Sequence, residues 1–381
     1  MSQSLSTAPQ IVVKNRYPDY LTLTLAAVPC PDTVPVSSSA ADLPVLDLQL
    51  TLQFGHHWEI QADHRAQFGL TGGMVTLGIE AGILQPSLAV AADPEMPIVV
   101  RRVTEGPPTY EWQLVSTADF TVLDGTIASL SLGQIHPHTA ACRVLIAFTV
   151  AALDIHLTDA EGLWRHDISP NKHAVLERKL VWTLVEPRFH PYLSWAELTY
   201  TPNPEPTTAL IPTPSTNSLQ TIQPVIDTIM TAESDRLPDL AKLADLDLMQ
   251  DFAGGNLRGT NLSGIDLSGA TLDRANLRGA DLSDADLSDA SLRDAKLSGA
   301  DLSGAYMSNA DLRHTDFYRA SLALATLSGA NLEGANLLET NLSSTHLGHT
   351  NVKQAQFGHN PGLAIDSEQS LRERGAIFPT P

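Results

Sequence analysis

The chain has 381 residues, with 23 Lys plus Arg against 43 Asp plus Glu and a net charge of −20. That length is enough for two or three domains with cores of their own, and the acidity argues against direct nucleic-acid binding or an anionic membrane surface. Only Cys30 and Cys142 are present, which excludes a disulfide framework and a Cys-based zinc site and suits a reducing compartment.

Residues 1–9 carry neither a basic n-region nor an apolar h-region, so no signal peptide is read. The longest apolar stretch, 144–153, is too short to span a bilayer. A cytoplasmic protein without membrane insertion is expected.

Residues 10–200 read as a β-sandwich domain. Leu46, Leu48, Leu50, Leu52 and Phe54 alternate with Asp47, Gln49, Thr51 and Gln53, the pattern of a half-buried strand. Similar runs occur at 20–25, 75–83, 110–115, 144–150 and 180–185, separated by clusters such as Gly72-Gly73 and Gly106-Pro107-Pro108. No amphipathic helix of ordinary length intervenes, so a mostly antiparallel sandwich or jelly roll is predicted, without resemblance to a known family.

Three groups in this domain could carry chemistry. His56-His57, His64, His136-Pro137-His138 and His156 include one i, i+2 pair, His136 and His138, that could face one metal from a strand. There is no H-E-x-x-H and no Cys partner, so ordinary surface or hydrogen-bonded histidines are the reading adopted. Gly69-Leu70-Thr71-Gly72-Gly73, with Gly78 and Gly82, lacks the Lys-Ser/Thr of a phosphate loop and is read as turns between strands. In Gly162-Leu163-Trp164-Arg165-His166-Asp167 the aromatic is read as a solvent-edge cover for the core rather than a binding loop.

Five prolines make 201–218 a Pro-rich, semi-extended linker. Leu219, Ile222, Val225, Ile226 and Ile229 then have helical spacing, and a second short helix is predicted over 239–246. Together 219–249 form a helical cap for the segment that begins at residue 250.

From residue 250 the chain repeats every five residues. The central position recurs from Phe252 to Phe357 in 22 units, of which 17 carry Leu and three Phe, with Met307 and Val352 in the other two. Two residues before nearly every centre sits a small side chain, such as Ala270, Ala275 and Ala280. Residues two apart in an extended segment share a face, so the large and the small apolar residue point the same way. A period of five fits neither helix nor continuous strand, so the chain must turn once per unit. Asn or Asp before the centre, and Ser or Gly after it, suit such turns. No Pro falls between Pro238 and Pro361, as a region that uses its N–H groups in ladders requires.

Tandem A-[DN]-L-x-x over residues 250–359 resembles the pentapeptide repeat family. The resemblance implies a right-handed quadrilateral β-helix with four units per coil and residue i stacked on i+20. Coils ~4.8 Å apart would make a rod roughly 26 Å long. Ile265 occupies a slot that is small almost everywhere else and suggests a wider first coil. Both ends of such a stack need caps. In the tail, 360–381, Asp366 with Gln369 reads as a helix start, Gly375 as its stop, and Leu371, Ile377 and Phe378 as an apolar side.

Applied to charge, the i+20 rule places all eight basic residues of the repeat on two adjacent faces. Arg274, Arg293, Arg313 and Lys353 lie on one, and Arg258, Arg278, Lys296 and Arg319 on the next. Seven acidic residues balance them there, whereas the other two faces hold Asp266, Asp281, Asp284, Asp286, Asp289 and Asp301 with no basic residue. His314, His346, His349 and His359 are scattered at outward phases, and no catalytic set is read.

The function expected is non-catalytic, with no cofactor and no metal: a protein–protein interaction or scaffold protein with a recognition domain and a rigid rod. Related rods often pair end to end, so a homodimer is one expected state, opposed by the tail helix. An alternative implied by the resemblance is a DNA mimic that modulates a type II topoisomerase. Duplex DNA would carry roughly 15 charges over such a length, whereas the repeat sets eight basic residues against 13 acidic ones. The other alternative is an enzyme or a metal- or ligand-binding activity in the N-terminal domain.

Overall fold

The structure, a computed structural model, describes residues 9–30, 44–61, 64–86, 98–103, 109–116, 122–139, 142–165, 167–199 and 219–378. The linker expected at 201–218 and the first eight residues lie outside them. The chain forms two compact units: Met1–Glu59, Ala66–Asp159 and Val185–Thr216 make one, and Ile60–Arg65, Ala160–Leu184 and Asn217–Pro381 the other.

The first unit is built from antiparallel sheets. Its strands are β1 (Gln10–Asn15), β2 (Leu21–Pro29), β3 (Leu46–Phe54), β4 (His57–Gln61), β5 (His64–Leu70), β6 (Gly72–Glu80) and β7 (Gly82–Pro86). They continue as β8 (Ile98–Arg102), β9 (Thr109–Ser116), β10 (Gly125–Pro137), β11 (Arg143–Thr149), β12 (Ile155–Glu161) and β13 (Ser194–Thr199). Six strands run in the order β1-β13-β11-β6-β9-β8, four as β2-β3-β10-β7, and three as β12-β5-β4. The alternation seen in β3 is real: Leu46, Leu48, Leu50, Leu52 and Phe54 are all buried. Phe54 meets Phe148 of β11 edge-on at 6.0 Å, so the buried faces of the four- and six-stranded sheets touch.

The glycine cluster is mostly not turn. Gly69, Gly72, Gly73 and Gly78 lie within β5 and β6, and only Thr71 stands between the two strands, at a bend where its N–H donates to the Asp154 carbonyl at 2.8 Å. These glycines serve close packing instead. A Cβ on Gly73 would stand 2.4 Å from the Phe148 ring, and one on Gly69 would stand 2.6 Å from Val122.

The strand expected over 180–185 is helical, and a helix does intervene in 10–200. Helix α1 (Pro170–Leu180) runs into a π-helical turn, Val181–Val185, and a last turn, α2 (Glu186–Phe189). Ser169 caps it by accepting from the Lys172 N–H at 3.2 Å, and Pro170 fits the first turn. Leu176, Leu180 and Leu184 are buried at a spacing of four. That helical stripe outweighs the strand preference of the Val and Trp residues between them. Residues 160–184 group with the second unit, which moves this segment out of the β domain.

The second unit is a β-helix with helical ends. At its start α1 joins α3 (Leu219–Thr231) and α4 (Leu237–Leu243). Leu219, Ile222, Ile226 and Ile229 are buried as their spacing requires. Helix α4 begins two residues earlier than expected, because Pro238 suits a first turn, and it ends at Leu243. Lys172 donates to the Met230 and Ala232 carbonyls at 3.2 and 3.0 Å, which ties α1 to the end of α3.

Asn171 closes part of the open edge of the first coil. Its side-chain amide donates to the Asn261 carbonyl at 3.1 Å and accepts from the Asn261 N–H at 3.0 Å, as a preceding strand would. From there parallel bridges join residue i to i+20, beginning with Asn256 and Asn276 and continuing to Asn331 and Asn351. The coil therefore closes after four five-residue units. Centres from Leu257 to Leu342 are buried, and Thr315 and Thr340 enter small-residue slots because their hydroxyls bond carbonyls 23 residues earlier at 2.8 and 2.7 Å. Ile265 is buried without widening the coil, since the Asp286 N–H still reaches its carbonyl at 2.9 Å.

The far end is closed by helix α5 (Ile365–Glu373) and a final rung. The helix starts after Ala364, with no side-chain cap, so the expected Asp366–Gln369 box does not form. Gly375 ends the helical segment with φ +90°, and Leu371 is buried. Ile377 adds a rung by exchanging hydrogen bonds with Ala355 and Phe357, and its side chain stands half exposed; Phe378 stacks on Phe357 at 5.5 Å. No helix among the described residues is long and apolar enough to cross a membrane.

Candidate interaction surface

With Leu, Phe and Ala filling the interior of the β-helix, its outward side chains form registered rows one coil apart. On the two faces that hold the basic residues, the charges pair between coils. Arg293 lies 3.3 Å from Asp273 and 3.5 Å from Asp311. Arg313 holds Asp311 through Nε and Nη2 at 2.8 and 2.7 Å. Burial works against ionisation of Asp311, but these hydrogen bonds more than offset it and keep its carboxyl below the ordinary range. Arg319 bonds Glu339 at 2.7 Å and lies 4.8 Å over the Tyr318 ring, and Lys353 faces Glu333 at 3.9 Å.

The other two faces differ. Asp266, Asp281, Asp284, Asp286, Asp289 and Asp301 have no cationic partner among the described residues. Four of them fold back on the turn: Asp281 accepts from the Ser283 N–H at 3.0 Å and its hydroxyl at 2.6 Å, Asp266 does the same with Ser268, and Asp286 and Asp301 accept from the Ser288 and Ser303 N–H groups. The two Ser268 hydrogen bonds hold the Asp266 carboxyl below its ordinary value, so it stays ionised. Asp281 pairs in register with Asp301, and Asp266 with Asp286, which stacks like charges one coil apart.

The histidines of the first unit do not converge. His56 faces Asp124 at 3.5 Å, and His57 lies 3.4 Å from Asp19 and 3.9 Å from Glu59. His136 is in β10, His138 lies beyond that strand's end, and His156 is buried on β12. The side chain of His64 falls outside the described residues. Among those described, no group of three His, Cys, Asp or Glu side chains is arranged to hold a metal. Trp164 packs edge-on against His173 at 5.8 Å over buried Leu163, which agrees with a covering role; His166 lies outside the described residues.

A feature without sequence signal is a cavity of about 120 Å³ among Tyr17, Tyr20, His57, Glu59, Arg188 and Phe189. Arg188 is paired with Glu59, and the Tyr20 hydroxyl is buried without a hydrogen-bond partner among the described residues. Burial pushes the Cys142 thiol up to about 11. Cys142 should therefore resist a thiol reagent in the native protein at pH 8 and react only on unfolding, as a colourimetric thiol count with and without denaturant would show.

The repeat geometry has a counterpart among protein families. The family profile "Pentapeptide repeats (8 copies)" matches residues 251–289, 285–322 and 320–357. Residues 251–357 are a pentapeptide-repeat region. No family is assigned to the N-terminal residues, and comparison with curated proteins returns no match. The pentapeptide repeat protein Rfr23 from the cyanobacterium Cyanothece 51142 is 40% identical over 24% of this chain and 62% of its own, with a TM-score of 0.23. A pentapeptide repeat protein from the Arabidopsis thaliana thylakoid lumen is 33% identical over 31% of this chain and 80% of its own, with a TM-score of 0.25. HetL, a pentapeptide repeat protein involved in heterocyst differentiation regulation in Nostoc, is 28% identical over 32% of this chain and 64% of its own, with a TM-score of 0.17.

Proposed function

We propose that the protein is a non-catalytic interaction or scaffold protein. In this reading an N-terminal β-sandwich recognises one partner, while a right-handed, four-sided pentapeptide-repeat rod offers stiff docking walls to another. The observation that carries it is the unequal use of charge on the repeat. On the basic faces Arg293, Arg313, Arg319 and Lys353 are held in ion pairs, whereas the opposite faces leave six aspartates without cations among the described residues. Four of these aspartates bond their own turns, but none gains a counterion in the fold and their stacking is repulsive, which supports a use of the charge outside the chain. The interior of the repeat is filled by Leu, Ala and Phe side chains and has no room for substrate chemistry.

The test compares the full chain with a variant carrying Asp281→Asn, Asp286→Asn and Asp301→Asn. In quantitative affinity purification from native lysate, proteins bound through the acidic wall should be depleted about tenfold or more, with thermal stability equal or slightly raised as repulsion is relieved. Turnover of nucleotide, ester or glycoside substrates by the purified chain, or binding indifferent to all three changes, would contradict the reading.

A further inference from the structure

Within that acidic wall one residue breaks the rule of its column. The last residue of a unit adopts positive φ, as in Gly264 (+60°), Asp284 (+57°), Gly304 (+74°), Leu324 (+64°) and Ser344 (+57°), which stack one coil apart. This backbone suits glycine, with Asn and Asp next, and strains other side chains, Leu324 among them. Among the described residues of the repeat, Leu324 is the only apolar side chain held in it. The strain brings no packing in return, since Leu324 is 66% exposed.

Tyr306 is 55% exposed and belongs to the same corner: Gly304 lies one coil before Leu324, and Tyr306 follows Gly304 by two residues. The space over Gly304 is taken by the Asp284 carboxylate, which would stand 2.3 Å from any Cβ there, so an acidic group sits at the base of this corner. Asp286 pairs in register with Tyr306, and Asp301 is the second residue of the unit that ends at Gly304. Tyr318, on the opposite wall, is by contrast covered by Arg319 and bonded to Glu339.

We propose, resting on the interaction reading above, that this corner binds a Lys- or Arg-bearing protein segment that seats one apolar side chain between Leu324 and Tyr306. Two exposed apolar groups supply the anchor, and aspartates without cations select the sign of the flanking charge. A surface that worked by charge alone would have no use for a strained, exposed leucine.

The experiment selects short random peptides from a display library on the full chain and measures their affinities for variants. Enriched peptides should carry Lys or Arg around an aromatic or aliphatic residue. Leu324→Gly and Tyr306→Ala should each weaken them about tenfold or more, while Leu324→Gly leaves the melting temperature unchanged or higher, because glycine relieves the backbone. Raised salt should weaken binding without abolishing it, and abolition would reduce the corner to a charge surface and overturn the anchor. Peptides that bind both variants like the parent overturn the corner and leave the interaction reading intact, whereas a library with no binder to any wall removes both. A dimer that dissociates on Leu324→Gly would give the corner to a second copy and overturn the basic partner.

Discussion

Leu297→Ala is expected to lower the unfolding free energy by about 2–5 kcal/mol, and Ser308→Ala to leave it within about 0.5 kcal/mol. Leu297 is fully buried and shares its column with Leu277 and Phe317, one coil to either side. The backbone around it cannot relax inward, because the Leu297 N–H is fixed to the Asp316 carbonyl at 2.7 Å and the Lys296 N–H to the Ala275 carbonyl at 3.0 Å. A deleted isobutyl group therefore leaves a void bounded by ladders rather than a gap that side chains can fill. Ser298, its outward neighbour, is not a neutral control, since its hydroxyl bonds Asp316 of the next coil. Ser308 has no such bond among the described residues and tests the outward position cleanly. Urea titration of the three proteins decides the matter: equal midpoint losses at positions 297 and 308 would contradict the inward and outward assignment.

The repeat was legible because its information is local and redundant. Each unit restates which side chain goes inward, so a residue such as Ile265 in the wrong slot could be recognised as an exception, even though the ladder absorbs it unchanged. The opposite case is Leu180–Val185, where β-branched and aromatic residues suggest a strand. The outcome there is decided by Ser169, Pro170 and the buried faces of Leu176 and Leu184, which only a cap-to-stripe reading from residue 169 to residue 184 combines. Domain membership was less accessible still. Nothing in the sequence near Asn171 says that its amide completes the edge of a coil 90 residues away. The charge partition of the candidate surface followed from the i+20 rule, but the meaning of Leu324 did not. Its positive φ and exposure are properties of the folded backbone, and in the sequence it is one more leucine among many.

Arg178→Met is expected to cost about 3–5 kcal/mol, although the new side chain is close in size and apolar. Arg178 is 1% exposed, and its Nε donates to the Asp251 carbonyl at 2.7 Å, just before the first inward residue of the repeat, Phe252. Burial pushes its pKa down, and the charges of Glu177 and Asp251 oppose that shift and keep the guanidinium ionised. Glu177 is equally buried and its charge acts on Arg178, while His173, 3.9 Å from it, has its own pKa lowered by burial. Removing the guanidinium leaves a carboxylate in the cap without its counter-charge, while the Asp251 carbonyl keeps the Trp182 indole N–H at 3.2 Å. The loss should therefore come from Glu177, and adding Glu177→Gln to Arg178→Met should recover much of it. Hydrogen exchange locates the effect. Because a coil is coupled mainly to its neighbours, the Gly254 and Thr271 amides, which bond the Asp273 and Met249 carbonyls, should exchange faster in Arg178→Met, while Leu302 in the middle of the stack keeps its rate. A uniform acceleration along the repeat, or no rescue by the second substitution, would show that the cap is not held by this pair.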